Sequence, residues 1–152
     1  MQDNIILTLD TQLTWSQVHH DSDTPYTYPM EISRYIRTHW DKPAIYRWVV
    51  LNGSSSQIKK IYIGETVLLT RRIYHYLHPG PSQQTNQRLK AEFETEIQAG
   101  NKIILEVLDF TPFMIGNVTV SQQDLNEKLT RRLLENICIV YYIRLGVSVL
   151  NV

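Results

Sequence analysis

Residues 59–76 read "KKIYIGETVLLTRRIYHY", a short strand that ends at Gly64 and runs directly into a helix. Upstream, residues 44–51 read "AIYRWVVL", a run of β-branched and aromatic residues that predicts a second strand. The polar segment "NGSSSQ" between them is typical of a turn, so we expect an antiparallel hairpin. The hairpin brings two Ile-Tyr pairs close to the arginines of the following helix.

The composition is that of one globular domain. The chain has 152 residues, of which 43% are hydrophobic and 20% are charged, and its formal net charge is zero. No overall positive field therefore attracts nucleic acid, and any such binding must depend on a local patch. The single cysteine, Cys138, excludes an internal disulfide and a cysteine-based zinc cluster.

Several kinds of motif are absent from the sequence. We find no signal peptide, no apolar stretch of membrane-spanning length, no phosphate-binding Walker loop and no dinucleotide fingerprint. We therefore expect a reduced, cytoplasmic protein with neither a membrane partner nor a nucleotide cofactor.

The remaining helices and strands are predicted from the spacing of apolar residues and from the proline and glycine residues that interrupt them. Beside the hairpin we predict, in chain order, a strand at 4–9, an irregular segment at 11–29, helices near 30–40, 66–77 and 84–100, a strand at 102–110, a loop at 111–119 and a long helix at 122–145. This order predicts an α+β domain with a small, mainly antiparallel three-stranded central sheet flanked by helices. Residues 1–43 would be an N-terminal extension packed on a core of residues 44–152.

The long helix contains a lone acidic residue at a change of pattern. Its first half carries leucines four apart, and from 137 to 143 it is apolar nearly all round, which predicts burial. Glu135 lies where this change occurs. Because an isolated buried carboxylate is costly, Glu135 should either pair with Arg131 or Arg132 or have a functional role, and the sequence leaves both interpretations open.

The hairpin and the helix after it carry a second polar group. Alternation along the strands puts Tyr46 on one face, and Tyr62 lies beside it if the register allows. Arg72 has apolar neighbours on its helix, so its guanidinium needs an anion or a route to water. The alternatives are two half-buried strand tyrosines and a snorkelling arginine at the sheet edge.

Together these residues resemble the GIY-YIG endonucleases. The resemblance rests on "AIY" at 44–46, "YIG" at 62–64, Arg72, the late helix residue Glu135 and the C-terminal Asn151. It covers residues 44–152. It implies a GIY-YIG-like fold and a divalent-metal-dependent endonuclease that hydrolyses the phosphodiester bonds of DNA.

The resemblance also implies roles for the metal-side residues. Glu135 would be the protein ligand of one Mg²⁺ or Mn²⁺ ion, since a carboxylate and water molecules suit these cations. The ion would bind a phosphate oxygen and stabilise the leaving 3′ oxygen. Asn151 would support the metal site, and Arg72 would neutralise charge on the pentavalent phosphorus.

The three tyrosines would handle the attacking water. Tyr46 would help to deprotonate it, and Tyr62 beside it would help to stabilise the Tyr46 phenolate. Tyr76, one turn after Arg72, would orient water or phosphate.

Four basic residues near the hairpin are predicted to contact backbone phosphates: Arg47, Lys59, Lys60 and Arg71. Each is equally consistent with a solvated surface charge.

A stand-alone or restriction-like endonuclease is the function that we expect. The alternatives are a repair or recombination nuclease for structured DNA and a catalytically silent binding or scaffold module. Target choice would depend on residues 1–43, on a homodimer or on a specificity partner.

Overall fold

In the computed structural model, which describes residues 4–152, the chain folds around a four-stranded antiparallel sheet with the strand order β2-β5-β3-β4. Its strands are β2 (Trp15–Gln17), β3 (Ala44–Leu51), β4 (Ile58–Thr66) and β5 (Lys102–Leu108). The α+β class is confirmed, but the three-strand prediction is wrong. The additional strand, β2, lies in the segment that was predicted to be irregular, because three residues are too few to show a strand period.

The predicted hairpin of β3 and β4 forms. Tyr46 pairs with Gly64 and Trp48 pairs with Tyr62 across the two strands. Paired residues share a face, so Tyr46 and Tyr62 lie on the same face but at diagonal positions rather than directly opposite each other.

Helices cover this tyrosine-bearing face. They are α1 (Arg34–Trp40), α2 (Leu69–Leu77) and α3 (Gln84–Gln98). Tyr46 and Trp48 pack there in one apolar core with Ile73 and Phe93. Helix α2 begins at Leu69 rather than at the predicted Thr66, because β4 continues to Thr66. Within residues 4–152, no helix is long and apolar enough to cross a membrane.

The opposite face of the sheet packs on α4 (Lys128–Arg144), mainly through Leu134 and Cys138. The predicted helix at 122–145 is divided, because a short 3₁₀ helix (Gln122–Asn126) precedes α4. The predicted capping box opens the 3₁₀ helix, where the backbone N–H of Ser121 donates to Asp124 Oδ2 at 2.7 Å.

A second, three-stranded antiparallel sheet was not predicted. It consists of β1 (Leu9–Asp10), β6 (Phe113–Ile115) and β7 (Val118–Val120) in the order β1-β6-β7. Strands β6 and β7 form a hairpin in the segment predicted to be a loop, and Gly116 makes its turn with a φ of +58°. The strand predicted at 4–9 is reduced to β1. Such short strands depend on their neighbours more than on their own sequence.

The outer face of α4 differs most from the prediction. The leucines expected to pack, Leu129 and Leu133, are 80% and 38% exposed. The part expected to be buried all round also leaves Val140 and Ile143 exposed. The face that does pack runs through Arg131, Leu134 and Cys138. The helix has two apolar faces, and the sequence alone does not distinguish the one that meets the sheet.

The C-terminal tail covers the free edge of β4. The backbone N–H of Ile61 donates to Ser148 O at 2.9 Å, and the N–H of Leu150 donates to Ile61 O at 2.7 Å. These bonds pair groups that an uncovered edge strand would leave free. The tail thus holds the strand that carries Tyr62 and Gly64.

Candidate active site

Three tyrosines from three elements meet on the helix side of the sheet. Tyr46 lies on β3, Tyr62 on β4 and Tyr76 on α2. The hydroxyls of Tyr46 and Tyr76 are hydrogen-bonded at 2.7 Å, and the ring centroids of Tyr62 and Tyr76 are 6.3 Å apart. Tyr76 therefore lies between the two strand tyrosines and connects them.

Gly64 is required by the position of Tyr46. A Cβ atom built on Gly64 would lie 3.0 Å from Tyr46 Cε1 and still closer to Cζ and the hydroxyl. Tyr46 is only 1% exposed and cannot easily move away. The glycine of "YIG" thus makes room for the tyrosine of "AIY" on the neighbouring strand.

Arg72 lies at the junction of two clefts. One cleft, of about 310 Å³, is lined by the basic residues Arg71, His75, Lys128 and Arg131 together with Glu65, Thr66 and Val67. The other, of about 350 Å³, is lined by Tyr62, Tyr76 and the uncharged polar residues 82–86. Arg72 contributes to both clefts. Its half-buried side chain has no hydrogen bond or ion pair with any residue in 4–152.

Two carboxylates, Glu65 and Glu135, lie close enough to Arg72 to interact with its charge. Glu65 lines the first cleft, whereas Glu135 lines neither cleft. Burial and the charge of Glu65 raise the pKa of Glu135, and the Glu65 backbone N–H, Arg132 and Arg72 offset this only in part. Neither Arg131 nor Arg132 forms an ion pair with Glu135 in the described part of the chain. The salt-bridge interpretation of Glu135 is therefore wrong for the described residues, and its carboxylate is only partly compensated.

Arg131 instead binds Glu65, an interaction that was not predicted from the sequence. Its Nε donates to Glu65 Oε2 at 2.7 Å, and its Nη1 donates to the carbonyls of Leu125 and Asn126 at 3.0 and 2.9 Å. The buried guanidinium thereby ties the start of α4 to β4. No spacing in the sequence indicates this pair, because the two residues are 66 positions apart in the chain.

The phenols are poor bases in this structure. Burial raises the pKa of Tyr46, while the positive charge of Arg72 and the hydrogen bond from Tyr76 lower it. Within the described residues, the hydroxyl of Tyr46 bonds to Tyr76 and not to Tyr62, so the role of Tyr62 in stabilising a Tyr46 phenolate stays a prediction. Burial also raises the pKa of Tyr76 and of Tyr62. All three phenols are neutral near pH 7, and Arg72 is the group that favours ionisation of each.

Asn151 is engaged with the backbone of β4. Its Oδ1 accepts from Ile63 N at 2.9 Å, and its Nδ2 donates to Ile63 O at 2.7 Å. The amide therefore holds the strand residue between Tyr62 and Gly64. Asn151 would therefore support a metal site indirectly, by holding this strand in position.

The predicted phosphate contacts have different surroundings. Arg47 is buried, bonds to Glu106 at 2.8 Å and lies over the Trp15 and Tyr142 rings at 4.6 and 5.3 Å, so its prediction as a surface contact is wrong. The period of a strand explains this, because residue 47 points to the face that meets α4.

The remaining predicted contacts differ in their access to the clefts. Lys59 pairs with Glu96, and Lys60 pairs with Glu92 and Glu96 of α3. Neither lysine lines the clefts beside Arg72. Arg71 is exposed and lines the basic cleft, and the structure adds Lys128 and His75 to it.

A cation at Glu135 would find a second carboxylate nearby in Glu65, which Arg131 already binds. In residues 4–152, no group of three or more His, Cys, Asp or Glu side chains is placed to hold a metal ion. Mg²⁺ commonly binds through one or two carboxylates, with water and substrate phosphate completing its shell. Glu135, with its raised pKa and the negative charge of Glu65 nearby, is a carboxylate that a cation would stabilise.

Comparisons of the chain with protein-family models, with curated proteins and with solved structures found no match. The relationship to the GIY-YIG endonucleases therefore stays a prediction that depends on the motif residues themselves.

Proposed function

We propose that this protein is a divalent-metal-dependent endonuclease that hydrolyses phosphodiester bonds in DNA. The observation that carries the proposal is the Arg72 guanidinium, half-buried where two clefts meet and without an anionic partner in residues 4–152. A buried guanidinium is costly unless an anion binds it, and phosphate matches its planar donor geometry. The phenols of Tyr62 and Tyr76 in one cleft, and Glu65 and Glu135 within electrostatic range of Arg72, would supply the further groups that phosphate hydrolysis needs.

A nucleic-acid backbone fits the two clefts better than a single small anion does. The cleft on the α4 side supplies positive charge from Arg71 and Lys128. Burial and the charges of Arg72 and Arg71 lower the pKa of His75, so this residue contributes a neutral imidazole at neutral pH. The cleft on the α3 side supplies uncharged hydrogen-bonding groups. A chain with zero net charge thus has a local basic patch beside its unpaired arginine. One DNA strand would pass over Arg72, so that its successive phosphates contact both clefts.

Arg72 and Glu135 would act on the scissile phosphate. Arg72 would bind its oxygens and neutralise the charge that develops in the transition state. Glu135 would hold a Mg²⁺ or Mn²⁺ ion, and such an ion, when bound, supplies positive charge at the phosphate and the leaving oxygen. Glu135 must be ionised for this role. Because its pKa is raised, activity should be lost on acidification at a higher pH than an ordinary carboxylate would cause.

The tyrosines would position the attacking water. Tyr62 and Tyr76 line the cleft, whereas Tyr46 lies behind them and reaches it through its hydrogen bond with Tyr76. Tyr46 is neutral near pH 7, so the step would occur in the fraction of molecules in which Tyr46 has released its proton to solvent. In that fraction, a proton would pass from the attacking water to Tyr76 Oη while Tyr76 gives its own proton to Tyr46 Oη. The positive charge of Arg72 favours that ionisation.

Cleavage of supercoiled plasmid with Mg²⁺ or Mn²⁺ tests the proposal. The wild-type protein should nick or linearise the plasmid, and Glu135→Ala should abolish cleavage while retaining most DNA binding. Glu127→Ala is the matched control, because Glu127 is an exposed carboxylate at the start of the same helix and should leave the rate unchanged. Full activity of Glu135→Ala would refute the assignment. Binding without cleavage by the wild-type protein would favour the silent binding module.

A further inference from the structure

The outer face of α4 has the spacing of a coiled-coil seam. Five residues recur at intervals of four, three, four and three: Leu129, Leu133, Asn136, Val140 and Ile143. All five are exposed. They lie opposite the face that packs on the sheet, so the helix presents one apolar face inward and a second one outward.

The seam borders an apolar groove of about 530 Å³. The groove is lined by Leu133, Asn136, Ile137, Val140, Tyr141 and Arg144. With Tyr141 and Leu145, the apolar seam residues expose on the order of 600 Å² of surface, and a standard interface buries about 800 Å² on each partner. Two such faces expose roughly 1,200 Å² in total, which is the lower limit of the range for specific, stable interfaces.

We infer that a second copy of this chain covers this face, with α4 packed against α4 in a two-fold symmetric homodimer. Asn136 favours a copy of the same chain over an unrelated helix. It lies at the centre of α4, and an amide both donates and accepts, so it can bond to the same residue across a two-fold axis. A single asparagine in an apolar seam also specifies register and oligomeric state.

Long-range charge does not oppose this pairing, because the chain has zero net charge. Arg144 lines the groove, and Lys128 and Arg132 are further exposed cations beside the seam, so these side chains would have to turn toward solvent at the rim of the interface. The pairing would also explain why the sequence from 137 to 143 is apolar nearly all round although one copy alone leaves much of it exposed.

This inference goes beyond the proposed function and does not depend on it. No residue of the groove lines either cleft beside Arg72. Pairing through α4 would give each dimer two sites related by the two-fold axis, with the seam approaching the basic cleft only at Leu129, which adjoins Lys128.

Light scattering of the full chain across a concentration series tests the dimer. The wild-type protein should have twice the mass of the 17.8 kDa chain. Leu133→Glu and, as a milder change, Asn136→Lys should shift it to the monomer mass with unchanged circular dichroism. Val118→Glu is the matched control, because Val118 is 62% exposed on β7, outside the seam, and this variant should remain dimeric.

A cysteine placed in the seam tests its geometry. The native Cys138 is fully buried, so it should not react. Asn136→Cys should form a disulfide-linked dimer on mild oxidation, and Val118→Cys should not. A wild-type monomer at every concentration would overturn the inference. So would a dimer that persists in both seam variants, or one that is lost on removal of residues 1–8, whose exposed Ile5 and Ile6 would then be the contact.

Discussion

Replacement of Arg72 tests the candidate site most directly, because Arg71 beside it is a matched control. Both arginines lie on α2 and line the basic cleft, so they contribute similarly to any diffuse field. Only Arg72 is half-buried, and only Arg72 also lines the cleft that contains Tyr62 and Tyr76. We therefore expect Arg72→Ala to impair catalysis and Arg71→Ala to weaken DNA binding.

The expected size of the effect follows from the position of Arg72. A group that stabilises charge in the transition state typically contributes about 3–4 kcal/mol, which is roughly two to three orders of magnitude in rate. Arg72→Lys should recover little, because an ammonium cannot reproduce a two-pronged contact. Arg72 has no ion-pair partner in residues 4–152, so Arg72→Ala breaks no ion pair there. The free energy of unfolding of this variant should therefore not fall through the loss of an ion pair.

Single-turnover cleavage at saturating enzyme is the appropriate assay, because it separates the chemical step from binding. Arg71→Ala should retain a near-normal saturated rate and need more enzyme to saturate. Equal losses for the two variants, or a larger loss for Arg71→Ala, would refute the placement of Arg72 on the scissile phosphate. A clear fall in the thermal stability of Arg72→Ala would show that the arginine has a structural partner.

Three further substitutions test the surrounding residues. Tyr46→Phe removes the hydrogen bond to Tyr76 and should lower the saturated rate by about two orders of magnitude with little change in DNA affinity; a rate within a few-fold of wild type would exclude Tyr46 as the base. Gly64→Ala should lower the free energy of unfolding in urea by about 1–3 kcal/mol, because its Cβ would overlap Tyr46, and unchanged stability would contradict this packing. The pKa of Glu135 is higher in the folded protein than in the unfolded chain. The free energy of unfolding is therefore undiminished by this group at a pH below the unfolded-state pKa, and it falls as the pH rises through the folded-state pKa. Glu135→Gln should therefore abolish cleavage yet raise the melting temperature at neutral pH and not in acid, and the opposite pH dependence would show that the carboxylate is well compensated.

The hairpin and the faces of its strands were predictable because their signals are local. A polar turn between two β-branched runs specifies the pairing, and alternation puts Tyr46 and Trp48 on one face, as the structure confirms. The helical period likewise separates Arg72 from Arg71, and their different exposure confirms it. Each of these features depends on the backbone geometry of a few consecutive residues.

The partners of the charged residues were not predictable in the same way. Arg131 binds Glu65, 66 residues away in the chain, and Arg47 binds Glu106, 59 residues away. Charges of either sign recur throughout the sequence, so spacing alone does not choose among them. The register of the sheet and the direction of α4 decide which ones meet, and they leave Glu135 without a bridge.

By itself, the sequence determined the α+β class, the β3–β4 hairpin and the sharing of one face by the two strand tyrosines, since dihedral preferences and short periods act along the chain. Only the tertiary structure decided that Tyr76 connects those tyrosines, that Arg72 lies between two clefts and that α4 turns Leu134 rather than Leu133 toward the sheet. The physical reason is that the free energy of burial depends on how much apolar area is removed from water and not on which apolar residues supply that area. A helix with two apolar faces therefore takes its orientation from the packing of the whole domain.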